Sequence, residues 1–230
     1  MRKGLFITFE GSEGSGKSTQ AERLRDWLDI ADIPVTLSRE PGGTPVGEAV
    51  RSILIDPKYK EMDPLTETFL FAASRRQHVT ELILPRLERG EVVIADRFYD
   101  ATLAYQGFGQ QLPIRDVEDI NAMCAWGATP DLTLLIDVPV QLGLERVRQR
   151  YRENGGNLDR LEQLGEEFFE RVAEGYRYAA EREPQRFAVL DGSLDRDSVT
   201  REIMRTVLPL LQERFPKQSC NLEKMAQIDD

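Results

Sequence analysis

Short apolar runs alternate along this chain with longer segments whose apolar residues recur at helical spacing. The runs lie at positions 5–9, 35–37, 92–95, 132–138 and 187–190, and they are rich in Val, Ile, Leu and Phe. None alternates cleanly between apolar and polar residues, which is typical of strands that are covered on both faces. We therefore predict five buried strands.

The segments between these runs predict helices. In the segment 18–30, Leu24, Trp27 and Leu28 fall at positions i, i+3 and i+4. Helical patterns also cover 64–87, 139–151 and 195–211. Alternating strands and helices imply right-handed crossovers, so we predict an α/β fold of three layers, with about five parallel strands covered by helices on both faces.

Length and charge favour one soluble domain. The chain has 230 residues, of which 40% are hydrophobic, and a formal net charge of −10, which disfavours sequence-independent binding to nucleic acid. No apolar run approaches the 18 or so residues of a membrane span and no targeting signal is recognisable, so we expect a cytoplasmic protein without a membrane partner. We assign residues 1–215 to one domain and expect the polar tail, 216–230, to be disordered.

The strongest chemical signal follows the first predicted strand. Residues 11–18 match the phosphate-binding pattern GxxxxGK[ST], between an apolar run and a helical segment, which is the context that this motif requires. Its glycines let backbone N–H groups point at an anion, and the helix adds positive potential at its N-terminus. We expect Lys17 to contact the β- and γ-phosphates of ATP and Ser18 to hold Mg²⁺. The predicted ATP-binding residues are Gly11, Ser12, Glu13, Gly14, Ser15, Gly16, Lys17, Ser18 and Thr19.

A second metal-associated group is predicted at the end of the third strand, where Asp96 follows the run 92–95. P-loop enzymes place a carboxylate at this edge of the sheet. An aspartate in this position also suits a helix cap. In combination with the phosphate-binding loop, we interpret Asp96 as a Mg²⁺ ligand.

Several arginines are placed to surround a transferred phosphoryl group, which needs positive charge in the transition state. Arg39 and Arg97 follow predicted strands, where ligands bind in open α/β sheets. The segment 146–160 carries five arginines and a Gly155-Gly156 pair, so we predict a mobile basic lid. The competing interpretation of that segment is a solvated helix face.

Guanine-reading and switch motifs of GTPases do not occur in the sequence, and the chain is short for a motor or transporter ATPase. The economical interpretation is a small kinase that transfers the γ-phosphoryl group of ATP to a second small substrate. A nucleotide-dependent switch, whose output is a protein contact, is the alternative from another class.

Four blocks of the sequence together resemble the bacterial thymidylate kinase family. They are residues 9–20, Arg39-Glu40-Pro41-Gly42-Gly43-Thr44, Asp96-Arg97-Phe98-Tyr99 continuing to Ala104-Tyr105-Gln106-Gly107, and Leu158-Asp159-Arg160-Leu161-Glu162. The resemblance implies a P-loop kinase fold, a homodimer, and the reaction ATP + dTMP → ADP + dTDP with Mg²⁺, which serves dTTP synthesis and DNA replication. Another small P-loop kinase, acting on a nucleoside or a different monophosphate, is the nearest alternative.

The resemblance also implies roles for single residues on the acceptor side. Glu13 approaches the deoxyribose, Arg97 clamps the acceptor phosphate, and Thr102 lies near the base. Tyr105 and Gln106 contact the sugar and the base. The catalytic candidates are Lys17, Arg97, Arg152, Arg150 and Glu13, and the dTMP-binding candidates are Glu13, Arg39, Phe71, Arg75, Arg97, Thr102, Tyr105 and Gln106.

Phe71 and Arg75 are assigned to the base because they stand four residues apart and share one face of a helix, whereas Phe69 faces elsewhere. A phenyl ring stacks on a pyrimidine, and a guanidinium donates hydrogen bonds to a ring carbonyl such as O4. The spacing also matches the thymine-reading helix of the family. The competing interpretation is a core phenylalanine and a surface arginine.

The lid supplies the candidates for the transition-state arginine and two carboxylates. Some members of the family carry an arginine where this chain has Gly14, so the transition-state arginine must come from the lid; we favour Arg152, beside the glycine pair, with Arg150 as the alternative. Asp159 and Glu162 match lid carboxylates, which makes Glu162 a further metal candidate. Their spacing also suits a helix N-cap followed by Glu at the third helical position.

The remaining notable residues carry no predicted chemistry. Cys124 and Cys220 form no CxxC pair, so we expect two reduced thiols. His78 is the only histidine, and we expect it on the surface. Trp27 and Trp126 are predicted to be packing residues.

Overall fold

Five parallel strands form one sheet in the computed structural model, which describes residues 4–155 and 158–218. The strand order is β2-β3-β1-β4-β5, and every pair is parallel. All five predicted strands are confirmed, with small shifts at their ends. The strands are β1 Leu5–Glu10, β2 Val35–Arg39, β3 Val92–Asp96, β4 Leu132–Asp137 and β5 Phe187–Asp191.

Nine α-helices connect and cover these strands within the described residues. Asp63 caps the third helix by accepting from the N–H groups of Leu65 and Thr66, and Pro64 occupies its first turn. A π-helical segment, Val79–Ile83, continues that helix, and a second one, Leu103–Gly109, continues the fifth. The helices are α1 Lys17–Ile30, α2 Pro45–Leu54, α3 Pro64–His78, α4 Leu84–Glu88, α5 Tyr99–Thr102, α6 Ile114–Ala125, α7 Val140–Asn154, α8 Glu166–Arg182 and α9 Arg196–Arg214.

The three central strands, β1, β3 and β4, bury both of their faces, as the lack of polar alternation predicted, whereas the edge strands β2 and β5 are only partly buried, which the prediction did not anticipate. On β1, Leu5, Ile7 and Phe9 point into the apolar core shared with α1 and α9. The opposite face of the sheet also buries polar groups: the hydroxyls of Thr8 and Thr133 lie 3.0 Å apart there. The helices that cover this second face therefore pack against a partly polar surface of the sheet.

The parallel arrangement brings three predicted motifs to one edge of the sheet. In the strand register, Phe9 and Arg39 are both partners of Asp96. The phosphate-binding loop therefore begins beside the carboxyl ends of β2 and β3, where open α/β sheets bind ligands. No helix within 4–155 and 158–218 is long and apolar enough to cross a membrane.

Two expectations about single residues are wrong. His78 is fully buried rather than on the surface, because the face of α3 that carries it packs toward the end of β2. Trp126 is 62% exposed, with the Arg76 guanidinium 4.0 Å from its ring, whereas Trp27 is buried in the core as predicted. Cys220, Gly156, Asn157 and the predicted tail from position 219 onward lie outside the described residues.

Candidate active site

Most of the predicted site residues line a cavity of about 680 Å³ at the carboxyl edge of β1, β2 and β3. Arg152 does not line this cavity, whereas Arg51, which the sequence did not suggest, does. The other predicted residues that do not line it belong to the phosphate-binding loop and the start of α1: Gly11, Ser12, Gly14, Ser15, Gly16 and Thr19. Arg51 donates to the carbonyl oxygen of Pro41 at 2.9 Å. The predicted residues that line the cavity are Glu13, Lys17, Ser18, Arg39, Phe71, Arg75, Asp96, Arg97, Thr102, Tyr105, Gln106, Arg150, Asp159 and Glu162.

Glycine is required in the phosphate-binding loop for steric as well as backbone reasons. Gly14 has φ +71°, and a Cβ there would lie 2.0 Å from the carbonyl oxygen of Gly143 on α7. An arginine at position 14 would therefore collide with the backbone of α7. In this structure, position 14 therefore accommodates only glycine.

Buried polar groups of the loop face the place that an anion would take. Lys17 is buried, and its Nζ donates to the carbonyl oxygen of Ser12 at 2.9 Å. Burial, followed by the charge of Arg97, lowers the pKa of Lys17 to about 8. The Ser15 hydroxyl is buried and has no hydrogen-bond partner among the described residues. Both groups suit an anionic ligand, which would supply the missing partner.

Ser18 and Asp96 bring two oxygen ligands together. The Ser18 hydroxyl lies 2.5 Å from Oδ2 of Asp96. Mg²⁺ prefers such hard oxygen donors and is commonly held by one or two protein groups together with substrate phosphates. Within the described part of the chain, no cluster of three or more His, Cys, Asp or Glu residues is arranged to hold a metal. The pair therefore fits a metal that is shared with a nucleotide.

Arg97 is held by several hydrogen bonds from its guanidinium. Its Nη2 donates to Glu13 at 2.5 Å and to the Tyr105 hydroxyl at 2.9 Å, and its Nη1 donates to the Tyr176 hydroxyl at 2.9 Å. Burial acts to raise the pKa of Glu13, but the charges of Arg97 and Lys17 outweigh it and lower this pKa to about 2. The carboxylate is therefore an anion at neutral pH and fixes the guanidinium in place.

Glu10, which the sequence did not suggest as a site residue, is connected to Arg97 through Tyr176. Its Oε1 accepts from the backbone N–H of Phe98 at 2.7 Å, and its Oε2 accepts from the Tyr176 hydroxyl at 3.0 Å. Burial, together with nearby Asp100, raises the pKa of Glu10 to about 8. The sequence signal that could have identified Glu10 is a carboxylate at the end of an apolar strand, directly before the phosphate-binding loop.

Arg75 is fully buried, so the interpretation of it as a surface charge is wrong. Its Nε donates to Glu40 at 2.8 Å, its Nη1 to Asn121 at 2.9 Å, and its Nη2 to Thr102 at 2.8 Å and to the Phe98 carbonyl at 3.2 Å. These bonds use four of the five N–H groups of a guanidinium. The remaining N–H is on Nη1, and Arg75 lines the cavity.

The neighbours of Arg75 on α3 and in the following segment complete this end of the cavity. Phe71 is half-buried and lines the cavity, whereas Phe69 is 55% exposed and faces away, as helical geometry predicted. Gln106 is buried and donates to Glu67 at 2.7 Å. An aromatic ring and buried polar donors thus share one pocket.

The lid residues divide between the cavity and the protein surface. Arg150 lines the cavity and donates to Glu162 at 2.6 Å, whereas Arg152 is exposed on the last turn of α7. The geometry thus favours Arg150 as the lid arginine that reaches the phosphoryl group, whereas the sequence favoured Arg152. Arg160, counted in the basic lid, is buried and pairs with Glu67 at 2.5 Å, so its charge is not offered to solvent.

Asp159 and Glu162 form reciprocal capping hydrogen bonds around one turn. Asp159 accepts from the N–H groups of Leu161 and Glu162, and Glu162 accepts from the N–H of Asp159 at 3.0 Å. Glu162 also accepts from the Tyr151 hydroxyl. The hydrogen bonds are those of a capping box, but they close a single turn and no helix begins there, because α8 starts at Glu166. Both carboxylates line the cavity as well.

A parallel sheet with a phosphate-binding loop after β1 and an Asp-Arg pair at the carboxyl end of β3 defines a small P-loop kinase. The family model for thymidylate kinase matches residues 9–203, and the chain belongs to the thymidylate kinase family. A thymidylate kinase from Deinococcus radiodurans is 47% identical over 207 residues, which cover 90% of this chain and 98% of that protein. One from Herpetosiphon aurantiacus is 41% identical over 227 residues, covering 90% and 96%.

Solved structures agree with this membership. The crystal structure of thymidylate kinase from Ehrlichia chaffeensis matches this fold with a TM-score of 0.70 at 33% sequence identity. The match covers 89% of this chain and 98% of that chain. The likeness therefore includes the fold and the arrangement of strands that forms the cavity.

Replacing Glu10 with Gln should flatten the pH dependence of stability. The folded-state pKa of Glu10 is raised from 4.5 to about 8, so its contribution to stability is fully present below pH 4.5 and is lost as the pH rises to about 8. Gln keeps an oxygen for the N–H of Phe98 and does not titrate. Urea unfolding at several pH values measures the effect, with Glu118→Gln at an exposed ion pair as the control. Parallel curves for the wild type and Glu10→Gln would contradict this expectation.

Proposed function

We propose how this chain performs the reaction of its family, in which the γ-phosphoryl group of ATP is transferred to dTMP to give ADP and dTDP. One cavity holds the phosphate-binding loop at one end and buried Arg75, with one N–H left to donate, at the other. Arg97 lies between them. This juxtaposition of a triphosphate site, a phosphate clamp and a base pocket carries the assignment.

On the donor side, we assign the loop amides and Lys17 to the phosphates of ATP. Ser18 and Asp96 are the proposed Mg²⁺ ligands, because their oxygens already converge. When bound, Mg²⁺ neutralises charge on the β- and γ-phosphates. Lys17 and Arg97 add fixed positive charge beside the group that is transferred, which lowers the energy of the transition state.

On the acceptor side, we assign Arg97 and Arg39 to the phosphate of dTMP. Glu13 and Tyr105 hold Arg97 and lie where the deoxyribose would follow the phosphate. Thr102 fixes Arg75 and Gln106 lies in the same pocket, so both contribute to the base site. Phe71 offers its ring to the thymine.

Base choice follows from the remaining N–H of Arg75. Thymine presents the O4 carbonyl as an acceptor, whereas cytosine presents an amine donor at the same position. A donor that faces another donor inside a buried pocket stays unpaired, which costs about 1–3 kcal/mol. We therefore expect strong preference for dTMP over dCMP.

An assay of ADP release across dTMP, dUMP, dCMP, AMP, GMP and thymidine tests the function. We expect turnover to need an acceptor and to be highest with dTMP. Release of ADP without an acceptor would favour the nucleotide-dependent switch.

Arg75→Ala should cost roughly 1–3 kcal/mol of transition-state binding for dTMP and erode the preference over dCMP. Arg86→Ala, at a partly buried ion pair of the same helical run that does not line the cavity, is the control. An unchanged order of acceptor bases in Arg75→Ala would exclude the proposed base pocket.

We propose that the basic segment 146–160 acts as a lid whose Arg150 reaches the transferred phosphoryl group. Arg150 faces the cavity from the end of α7, and Glu162 holds it there. Its guanidinium is still half exposed, so it can leave Glu162 for a stronger anionic partner. This assignment replaces Arg152, which lies outside the cavity.

Arg150→Ala and Arg152→Ala should therefore differ. Losing an interaction that forms mainly in the transition state lowers kcat with little change in the KM for dTMP, typically on the order of 10²-fold for one such donor. Arg152→Ala, two residues away, should behave as a surface substitution. Steady-state kinetics of both variants provide the measurement. If both retain full kcat, the lid does not supply the catalytic arginine.

We also propose that the enzyme is a homodimer that works in the cytoplasm, where its nucleotide substrates are. Large apolar side chains are exposed on α2 and α3, two helices that pack against each other, and exposed apolar surface of this kind marks interfaces. They are Val46, Ile53, Leu65 and Phe69. A second copy of the chain would cover them.

Phe69→Asp should convert the dimer to a monomer, because it places a charge in the centre of this apolar face. The mass in solution, measured by sedimentation at several concentrations, reports the change. Leu194→Asp, at an exposed apolar residue outside this face, is the matched control. A wild-type chain that is monomeric at all concentrations would refute the proposal.

A further inference from the structure

We propose that Glu40 and His78 are positioning residues for Arg75, and that they thereby set the preference for thymine over cytosine. The proposal rests on the assignment of Arg75 to the base. It concerns two buried side chains that act through Arg75. His78 does not line the cavity. Glu40 does line it, but each of its carboxylate oxygens is already engaged, one by His78 and the other by Arg75.

A continuous chain of hydrogen bonds connects β2 to Arg75. The Ser38 hydroxyl lies 2.7 Å from Nε2 of His78, and Nδ1 of His78 lies 3.0 Å from Oε1 of Glu40. Oε2 of Glu40 accepts from Nε of Arg75 at 2.8 Å. The carboxylate only accepts, so Nδ1 of His78 must carry a proton, and in the neutral ring Nε2 then accepts from Ser38.

Glu40 has no freedom to turn while His78 holds it. Each of its oxygens has one buried partner, and the side chain is 3% exposed. Without the donor from His78, Oε1 would be buried and unpaired, which favours rotation of the carboxylate toward another donor. The guanidinium of Arg75 would then lose the contact that fixes its Nε edge, and its remaining Nη1 N–H would no longer be aimed as in this structure.

The turn after β2 is built against the same histidine. Gly43 has φ +76°, and a Cβ there would lie 2.8 Å from the His78 ring and 2.4 Å from the Ser38 hydroxyl. The N–H of Gly42 donates to Ser74 at 3.1 Å. Because Ser74, Arg75 and His78 are all on α3, the turn and the helix are locked together around the Glu40 carboxylate.

Stability alone is a weak explanation for this arrangement. A buried ion pair such as Arg75–Glu40 commonly gains no more than its desolvation costs. Polar groups in such a core are better explained where they orient a functional group. Arg75 is such a group, because it connects this network to the cavity.

Two substitutions of His78 separate the two ends of its ring. The amide of Asn reaches the position of Nδ1, so His78→Asn keeps a donor for Glu40 and loses the contact with Ser38. The amide of Gln reaches the position of Nε2, so His78→Gln keeps the contact with Ser38 and loses the donor for Glu40. The measurement is the ratio of kcat/KM for dTMP to that for dCMP in one preparation, which does not depend on the fraction of active enzyme.

We expect His78→Gln to lower this ratio roughly tenfold, as for a lost hydrogen bond to a charged group, while His78→Asn keeps the wild-type ratio. The KM for ATP should be unchanged in both. Gln77→Ala, at the preceding position on α3, is the control. If His78→Gln does not fold, Glu40→Gln must lower the ratio instead, because it removes the charge and one accepting oxygen.

A merely structural role would lower the melting temperature of both variants and leave the ratio unchanged, and that result overturns the proposal. Equal loss of the ratio in both variants overturns it as well. Arg75→Ala distinguishes this failure from a failure of the base assignment. If Arg75→Ala keeps the wild-type ratio, Arg75 does not read the base; if it lowers the ratio while His78→Gln does not, only the positioning role is wrong.

Discussion

The contact between Arg97 and Glu13 holds the parts of this molecule in their working arrangement. Arg97 has φ +74°, a left-handed conformation that costs a non-glycine residue on the order of 1–3 kcal/mol. Its guanidinium offsets this cost by donating to the phosphate-binding loop, to Tyr105 and to Tyr176 on α8. The end of β3, the loop after β1 and the helical layer on one face of the sheet therefore meet at a single charged group.

Polar groups buried under that contact explain why one side of the sheet is not a simple apolar core. Arg186 donates twice to Asp100, at 2.8 Å each, and also to Thr133 on β4. Unpaired charges would be costly at this depth, but these groups are satisfied by one another. Glu10 lies in the same layer and is connected to Arg97 through the Tyr176 hydroxyl, which donates to Glu10 and accepts from Arg97. Rigid support for the cavity thus comes from ion pairs rather than from apolar packing alone.

Local patterns predicted the strands and the loop, because strand burial and phosphate binding are encoded over a few neighbouring positions. The resemblance to the thymidylate kinase family supplied most of the predicted residues that line the cavity. What the sequence missed depends on contacts between distant parts of the chain. His78 follows Arg75 by three positions, so the sequence indicated that the two residues share a helix face. The burial of His78, however, depends on its contact with Ser38 on β2. Arg160 pairs with Glu67, 93 positions away, and α7 extends beyond its predicted end, so that Arg150 rather than Arg152 faces the cavity.

Burial divides the arginines of the cavity by function. Arg75 and Arg97 are held by several buried partners, so moving either would leave charges unpaired at a cost of several kcal/mol. Arg150 has one carboxylate partner and a half-exposed guanidinium, and that partner, buried Glu162, also accepts hydrogen bonds from Tyr151 and from the N–H of Asp159. The fixed arginines suit an acceptor whose position must be the same in every turnover. The loosely held arginine suits a charge that develops only as the phosphoryl group moves, because it can follow that charge at little cost.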